Sequence, residues 1–294
     1  MLARPRHLGQ SPSVKLGNWT VRAIEAERFR LDGGAMHGVV PKTLWARVAP
    51  PDELNRVEYT TRCLLIEGLG RRILIETGNG DKWSAREREI YAIEPAAGIT
   101  RRLKAAGVEP GTVDTLVATH LHFDHIGGAT WRDEKGVLHP TFPRARHVTQ
   151  KTELYDAFHP HERNRASYLD ENLRPLADAS LFVEVEGESE IAPGVRVIPT
   201  PGHTPGHQSV LITGNGEKVL FCGDVMPTSA HLRLPWVMAY DVLPHTTLET
   251  KRAIVERAVR EGWMLAWGHD RDIAGGRITL DAKGNPVIAE RISF

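Results

Sequence analysis

Cysteine is nearly missing from this chain. Cys63 and Cys222 are the two among 294 residues, too few for a disulfide framework, so nothing demands an oxidising compartment. Net charge is missing too. Lys plus Arg and Asp plus Glu each number 37, and a formal charge of zero provides no global field to hold a polyanion. Nucleic acid and acidic membranes are therefore not expected as main partners. No run approaches the roughly 18 apolar residues of a membrane span. The basic start, residues 1–7, has no apolar stretch behind it and does not read as a signal peptide. With 41% hydrophobic and 25% charged residues, wholesale disorder is excluded as well. The expectation is a soluble, cytoplasmic protein with residues 1–15 as a flexible tail and 16–294 as one domain.

What the chain has in plenty is histidine: 14, against five tyrosines and seven phenylalanines. Their placement follows from the layout. Residues 19–31 alternate loosely and end at Asp32-Gly33-Gly34, a strand and turn. Residues 63–67 and 72–76 predict a hairpin of buried strands around Gly68-Leu69-Gly70. A helical pattern runs over 81–106, broken at Pro95 and Gly98 and stopped at Gly107. Residues 113–119 predict a buried strand, 151–177 a polar helical stretch, and 181–185, 195–199, 208–213 and 218–222 further strands. Gly214-Asn215-Gly216 turns the last two. Thr246 and Glu249 form a capping-box pattern that opens a helix ending at Gly262, and 263–267 is a last buried strand. The fold class is α/β, one domain with two sheets and helices outside.

The densest chemistry is His120-x-His122-x-Asp124-His125, directly after the 113–119 strand. On an extended chain His120, His122 and Asp124 share a direction, and His125 joins them only where the chain turns, which Gly127-Gly128 allow. Imidazole suits zinc, copper, iron and nickel, and a carboxylate adds a hard, charged oxygen. Four donors in six residues read as halves of two sites, and the lack of cysteine favours an open catalytic site over a closed structural one. Three later segments also place polar donors after apolar strands: Thr200-Pro201-Gly202-His203-Thr204-Pro205-Gly206-His207, Gly223-Asp224 and Gly268-His269-Asp270.

Taken together, these motifs resemble those of the metallo-β-lactamase superfamily over roughly residues 60–275. The resemblance implies an αβ/βα four-layer sandwich with two divalent metal ions at one edge, zinc first, with manganese, iron or cobalt also accepted. It implies His120, His122 and His203 on one ion, Asp124, His125 and His269 on the other, and Asp224 bridging, with Asp124 and Asp224 as the catalytic carboxylates. The family's Asp before Thr-Gly is replaced by Glu76-Thr77-Gly78. Residues 30–45 and 223–232 are similar to quorum-quenching lactonases of the YtnP type and to organophosphate hydrolases. Met36, His37, Val39, Trp45 and Phe123 are then candidate substrate contacts. Lactonases of the better-known kind carry a tyrosine three residues after the bridging aspartate. Here Pro227 stands there, leaving His231 and Tyr240 as candidates for its role. The implied activity is lactone opening by a hydroxide held between two ions, with an organophosphate triesterase or arylesterase as alternative and a non-catalytic metal-binding protein behind it. A small lactone or ester as partner and a homodimer complete the expectation.

Overall fold

The computed structural model describes residues 12–95 and 97–294. Its first sheet begins with β1 (Val14–Leu16), β2 (Trp19–Asp32), β3 (Arg56–Gly68), β4 (Arg71–Ile75) and β5 (Thr115–Val117). After a small ribbon, β6 (Thr130–Arg132) with β7 (Leu138–Pro140), the first sheet is completed by β8 (Arg146–Gln150) and β9 (Phe182–Val185). Its strand order is β1-β2-β3-β4-β5-β8-β9. The second sheet runs in sequence order: β10 (Ser189–Ala192), β11 (Val195–Pro199), β12 (Gln208–Gly214), β13 (Glu217–Phe221), β14 (Met264–Ala266), β15 (Gly275–Leu280) and β16 (Pro286–Ile292). The helices are α1 (Gly33–His37), α2 (Lys42–Trp45), α3 (Ala85–Tyr91), α4 (Ile99–Ala105), α5 (Phe123–Ile126), α6 (Lys151–Phe158), α7 (Asp170–Asp178) and α8 (Pro244–Glu261).

Strand periodicity builds the layers. In β3 and β4, Leu64, Ile66, Ile73 and Ile75 face the second sheet and meet Val197, Val210, Ile212, Val219 and Phe221. The alternate residues Cys63, Leu65 and Leu74 face outward onto Ile99, Leu103, Leu173 and Leu176 of α4 and α7. Across the molecule, Leu211, Leu220 and Leu265 pack on Ile254, Val255 and Ala258 of α8. Strands covered on both faces read as unbroken apolar runs, because every side chain is buried whichever way it points. The result is helices–sheet–sheet–helices, the expected sandwich.

Two hairpins close as read. Leu69-Gly70 and Asn215-Gly216 each carry two consecutive positive φ values, the two-residue turn that matches strand twist. Four expectations need correction. Val14–Leu16 pairs with β2, so the tail cannot extend to residue 15; residues 1–11 lie outside the described residues. The 113–119 strand pairs only over Thr115–Val117, because Thr119 turns to bond Glu76. The capping box fails because α8 starts at Pro244, putting Thr246 inside the helix; a proline at the first position opens it instead. Finally, β1, β6, β7, β8, β10, β15 and β16 are not among the expected strands, since they are short or carry polar and charged residues that make no apolar run.

Candidate metal centre

β5 ends at Val117, and the chain then folds back so that Phe123–Ile126 forms one helical turn, α5. The motif is therefore not extended to its end. His120 and His122 precede the turn, while Asp124 and His125 sit on it. Gly127 and Gly128 make the turn possible, since a Cβ on either would fall 2.2 or 2.3 Å from the carbonyl oxygen of Asn79 or Thr77. The second sheet supplies the rest. His203 comes from the loop between β11 and β12, Asp224 from the turn after β13, and His269 from the loop after β14.

The seven residues converge in two groups. Nδ1 of His122 lies 3.1 Å from Nε2 of both His120 and His203. Nε2 of His125 and Nε2 of His269 are 3.2 Å apart, and they lie 3.7 and 3.5 Å from the Asp124 carboxylate oxygens. Asp224 stands between the groups. Its Oδ1 is 3.2 Å from His269 and 3.5 Å from His125, and its Oδ2 is 3.5 Å from His203. All seven are buried. Donor atoms bound at about 2.0–2.2 Å around a tetrahedral ion stand roughly 3.3–3.6 Å from one another, so the observed spacings fit cation ligation. Asp224 Oδ1 and His122 Nε2 are also buried with no hydrogen-bond donor or acceptor of their own.

Four of the five rings are held from behind. His125 Nδ1 lies 2.7 Å from Glu76 Oε2, His203 Nδ1 2.9 Å from Asp241 Oδ1, His269 Nδ1 2.9 Å from the Thr60 carbonyl and His120 Nδ1 3.1 Å from Thr119 Oγ1. With Nδ1 occupied, Nε2 is the free ligand face in all four. Burial, together with the neighbouring imidazoles, holds His120 and His122 well below the ordinary histidine range, so their lone pairs are available. His125 moves the other way. Burial opposes its charge, but Asp224, Glu76 and Asp124 outweigh that and hold it well above. Burial likewise works against the Asp224 carboxylate, and His125 and His269 overcome it, keeping Asp224 ionised.

Three supporting residues escaped the sequence reading. Glu153, fully buried at the start of α6, accepts from Leu121 N, Tyr168 Oη and Thr204 Oγ1, tying both histidine loops together. His207 accepts from Asp224 N at 3.0 Å through Nε2 and donates through Nδ1 toward Thr200, so it fixes the aspartate's backbone. Asp241 orients His203. Glu153 lay in a stretch that looked like a solvated helix face, and Asp241 in a loop; only the second histidine of Pro-Gly-His-Thr-Pro-Gly-His carried a signal.

The substrate candidates separate sharply. Met36, His37, Trp45 and His231 are interior packing, because α1 and α2 fold residues 33–45 onto themselves. The His37 ring stacks on Trp45 at 4.9 Å and on His231 at 5.5 Å. Both nitrogens of His231 are used, by Thr228 Oγ1 and the Met36 carbonyl, so it has no free group for a substrate. Val39 stands 92% exposed. Phe123 is at the cluster itself, between His122 and Asp124. Tyr240 is 38% exposed beside the positioning residue Asp241.

Residues 57–269 match the metallo-beta-lactamase superfamily. The chain belongs to this superfamily. It is 31% identical over 260 residues to an N-acyl homoserine lactonase of a Bacillus species, covering 84% of this chain and 91% of that one. It is also 31% identical over 175 residues to an N-acyl homoserine lactonase of Bacillus thuringiensis, over 58% of this chain; the match spans 62% of that relative's length. A solved structure from Staphylococcus aureus, described as a probable metal-dependent hydrolase, superimposes with a TM-score of 0.86 at 28% identity, covering 96% of this chain and 99% of that one.

Proposed function

We propose that the chain is a dinuclear metal-dependent lactonase acting on acyl-homoserine or related lactones. The observation that carries this reading is the Asp224 carboxylate, with one oxygen turned to each histidine group. His120, His122 and His203 would hold one ion and Asp124, His125 and His269 the other, with Asp224 shared. Zinc is the proposed ion, since one group offers three imidazole nitrogens and the other two imidazole nitrogens with a carboxylate oxygen, donor sets that suit open zinc sites. Two such cations supply a Lewis-acid pole for a carbonyl oxygen and make water acidic enough to deprotonate near neutral pH. The protein's own residues do the rest. Asp224 and Asp124 hold negative charge against the cations and position them. Phe123 offers an apolar face beside the donors. Tyr240 has a pinned backbone, because Ala239 N donates to the Ala35 carbonyl and Val242 N to the His203 carbonyl. Its phenol makes no hydrogen bond to a described residue and is proposed as the donor to the substrate carbonyl in place of the tyrosine that Pro227 displaces. Val39 is proposed as an apolar contact at the rim.

The test is a substrate panel on metal-quantified protein. Lactones should be opened faster than paraoxon, activity should vanish on chelation and return with zinc, and Asp224→Asn should lose at least about a hundredfold in kcat together with one or both ions. A kcat/KM favouring paraoxon, or full activity without metal, overturns the reading. The chain is further proposed to be a homodimer. Val39, Leu44, Val48 and Leu54, large exposed apolar side chains within one short region, support this, and sedimentation at micromolar concentration decides it.

A further inference from the structure

Helix α3 presents an oddity. None of its seven residues is fully buried, and only Tyr91 packs against an apolar cluster, the one around Phe29 and Tyr59, yet it is anchored at every end. Ser84 and Glu87 form a capping box at its start. Just before it, the Trp83 indole donates to the Asn79 carbonyl, and the Lys82 ammonium donates to the carbonyls of Gly127 and Thr130, immediately behind α5. At its far end the Arg56 guanidinium donates to the carbonyls of Glu89 and Ile90, where a cation also suits the helix dipole. Ala92 then turns the chain away in the left-handed region.

These anchors fix two aromatic rings against Phe123. The Trp83 ring meets Phe123 edge-on at 5.2 Å, the Tyr91 ring meets Phe123 at 5.3 Å, and Trp83 and Tyr91 meet each other at 5.6 Å. Phe123 stands in the chain between two donors, His122 and Asp124, and the Asp124 charge acts on the Tyr91 phenol, so Tyr91 lies beside the metal centre against the Phe123 ring. Tyr91 is half-buried, and its hydroxyl makes no hydrogen bond to a described residue. Burial first, then the Asp124 and Glu87 charges, push this phenol above the usual tyrosine range, so it is a donor at neutral pH.

We infer that Tyr91 is a substrate-positioning residue, whose ring extends the Phe123 face and whose hydroxyl donates to a second polar oxygen of the substrate, several bonds from the reacting carbonyl. The Phe123 ring, against which Tyr91 packs, is what separates the two oxygens. A lactone carrying an acyl amide presents such an oxygen; a simple alkyl lactone does not. This inference rests on the lactonase reading and adds the residue that discriminates within it.

The test compares N-hexanoyl-homoserine lactone with γ-decalactone, which has an alkyl chain and no amide, on zinc-loaded protein. Tyr91→Phe should raise KM for the amide substrate by roughly fivefold, the worth of one neutral hydrogen bond, with kcat changed less than about twofold. Preference for the amide lactone over γ-decalactone should fall by the same factor. Calorimetry of the ring-opened N-hexanoyl-homoserine should show the same roughly fivefold weakening, a readout independent of turnover. Tyr91→Ala, which also removes the ring, should raise KM for both lactones. Metal content and Tm are checked on each variant. If the wild type opens both lactones and Tyr91→Phe keeps the preference and the product affinity, the inference is overturned while the lactonase reading stands. If the wild type opens neither lactone, the reading fails and the inference with it.

Discussion

Glu76 adopts φ 67°, a backbone region that costs a non-glycine residue on the order of 1 kcal/mol. The strain places its two carboxylate oxygens where they are needed: one accepts from Thr119 N at 2.7 Å, ahead of His120, and the other meets His125 Nδ1. Glutamate thus performs the orienting work in the slot where the superfamily usually has aspartate, its extra methylene accommodated by the left-handed turn. Glu76→Gln keeps the acceptor for Thr119 and removes the charge behind His125. Metal affinity should fall by about 10–100-fold, measured by competition with a chromogenic chelator, while the circular dichroism spectrum is unchanged. Unchanged affinity would mean that the carboxylate only supports the backbone. At this scale the seven converging donors were legible, because each follows an apolar strand and carries its chemistry in its side chain. Glu153 and Asp241 were not, since a carboxylate that supports another residue looks in sequence like any solvated one.

At the scale of elements, legibility followed apolar composition. β8, buried from His147 to Gln150, escaped the reading because three of those four residues are polar. Other strands covered on both faces announced themselves as apolar runs, and the hairpins through their turn residues. β15 and β16, with one face in solvent, did not. The bulge in β2 was also silent. Pairing with β3 slips between Glu25 and Arg28, which turns Glu27 inward beneath the loop that leads from Glu76 to α3. There its carboxyl accepts from Thr61 Oγ1 at 2.5 Å, Asn79 N at 3.1 Å and Gly80 N at 3.3 Å. Burial pushes its pKa up to about 7 from 4.5, and these three donors only partly offset that. The folded state therefore binds a proton that the unfolded state releases between pH 4.5 and 7. The stabilisation from Glu27 is complete below 4.5 and is lost as pH rises through 7, about 3 kcal/mol across the window. Glu27→Gln has no such proton. Urea denaturation at pH 5 and pH 8 should show the wild type losing stability relative to the variant by that order; parallel profiles would show that the carboxyl is ionised throughout.

For the whole molecule, the decisive fact is where the seven donors come from. His120, His122, Asp124 and His125 follow the first sheet, and His203, Asp224 and His269 follow strands of the second. Each proposed ion is therefore held from both sheets: His120 and His122 with His203, and Asp124 and His125 with His269. Binding there is tied to the folded state, because only folding brings the two halves together. Without cations the centre still buries carboxylates among imidazoles, and His125 takes up charge to answer Asp224. The zero net charge of the chain does not describe this edge, where two divalent ions would concentrate positive charge in one place. At a free ion concentration a thousandfold above Kd, the linked stabilisation is about 4 kcal/mol per site. For a chain of 294 residues that corresponds to roughly 7 °C in Tm per site. Chelation should therefore lower Tm by at least that much in a single transition, with both sheets melting together, and two equivalents of zinc should restore it. A Tm indifferent to chelation would mean that the sheets are joined by the apolar layer between them alone, with the donor cluster contributing nothing to holding them.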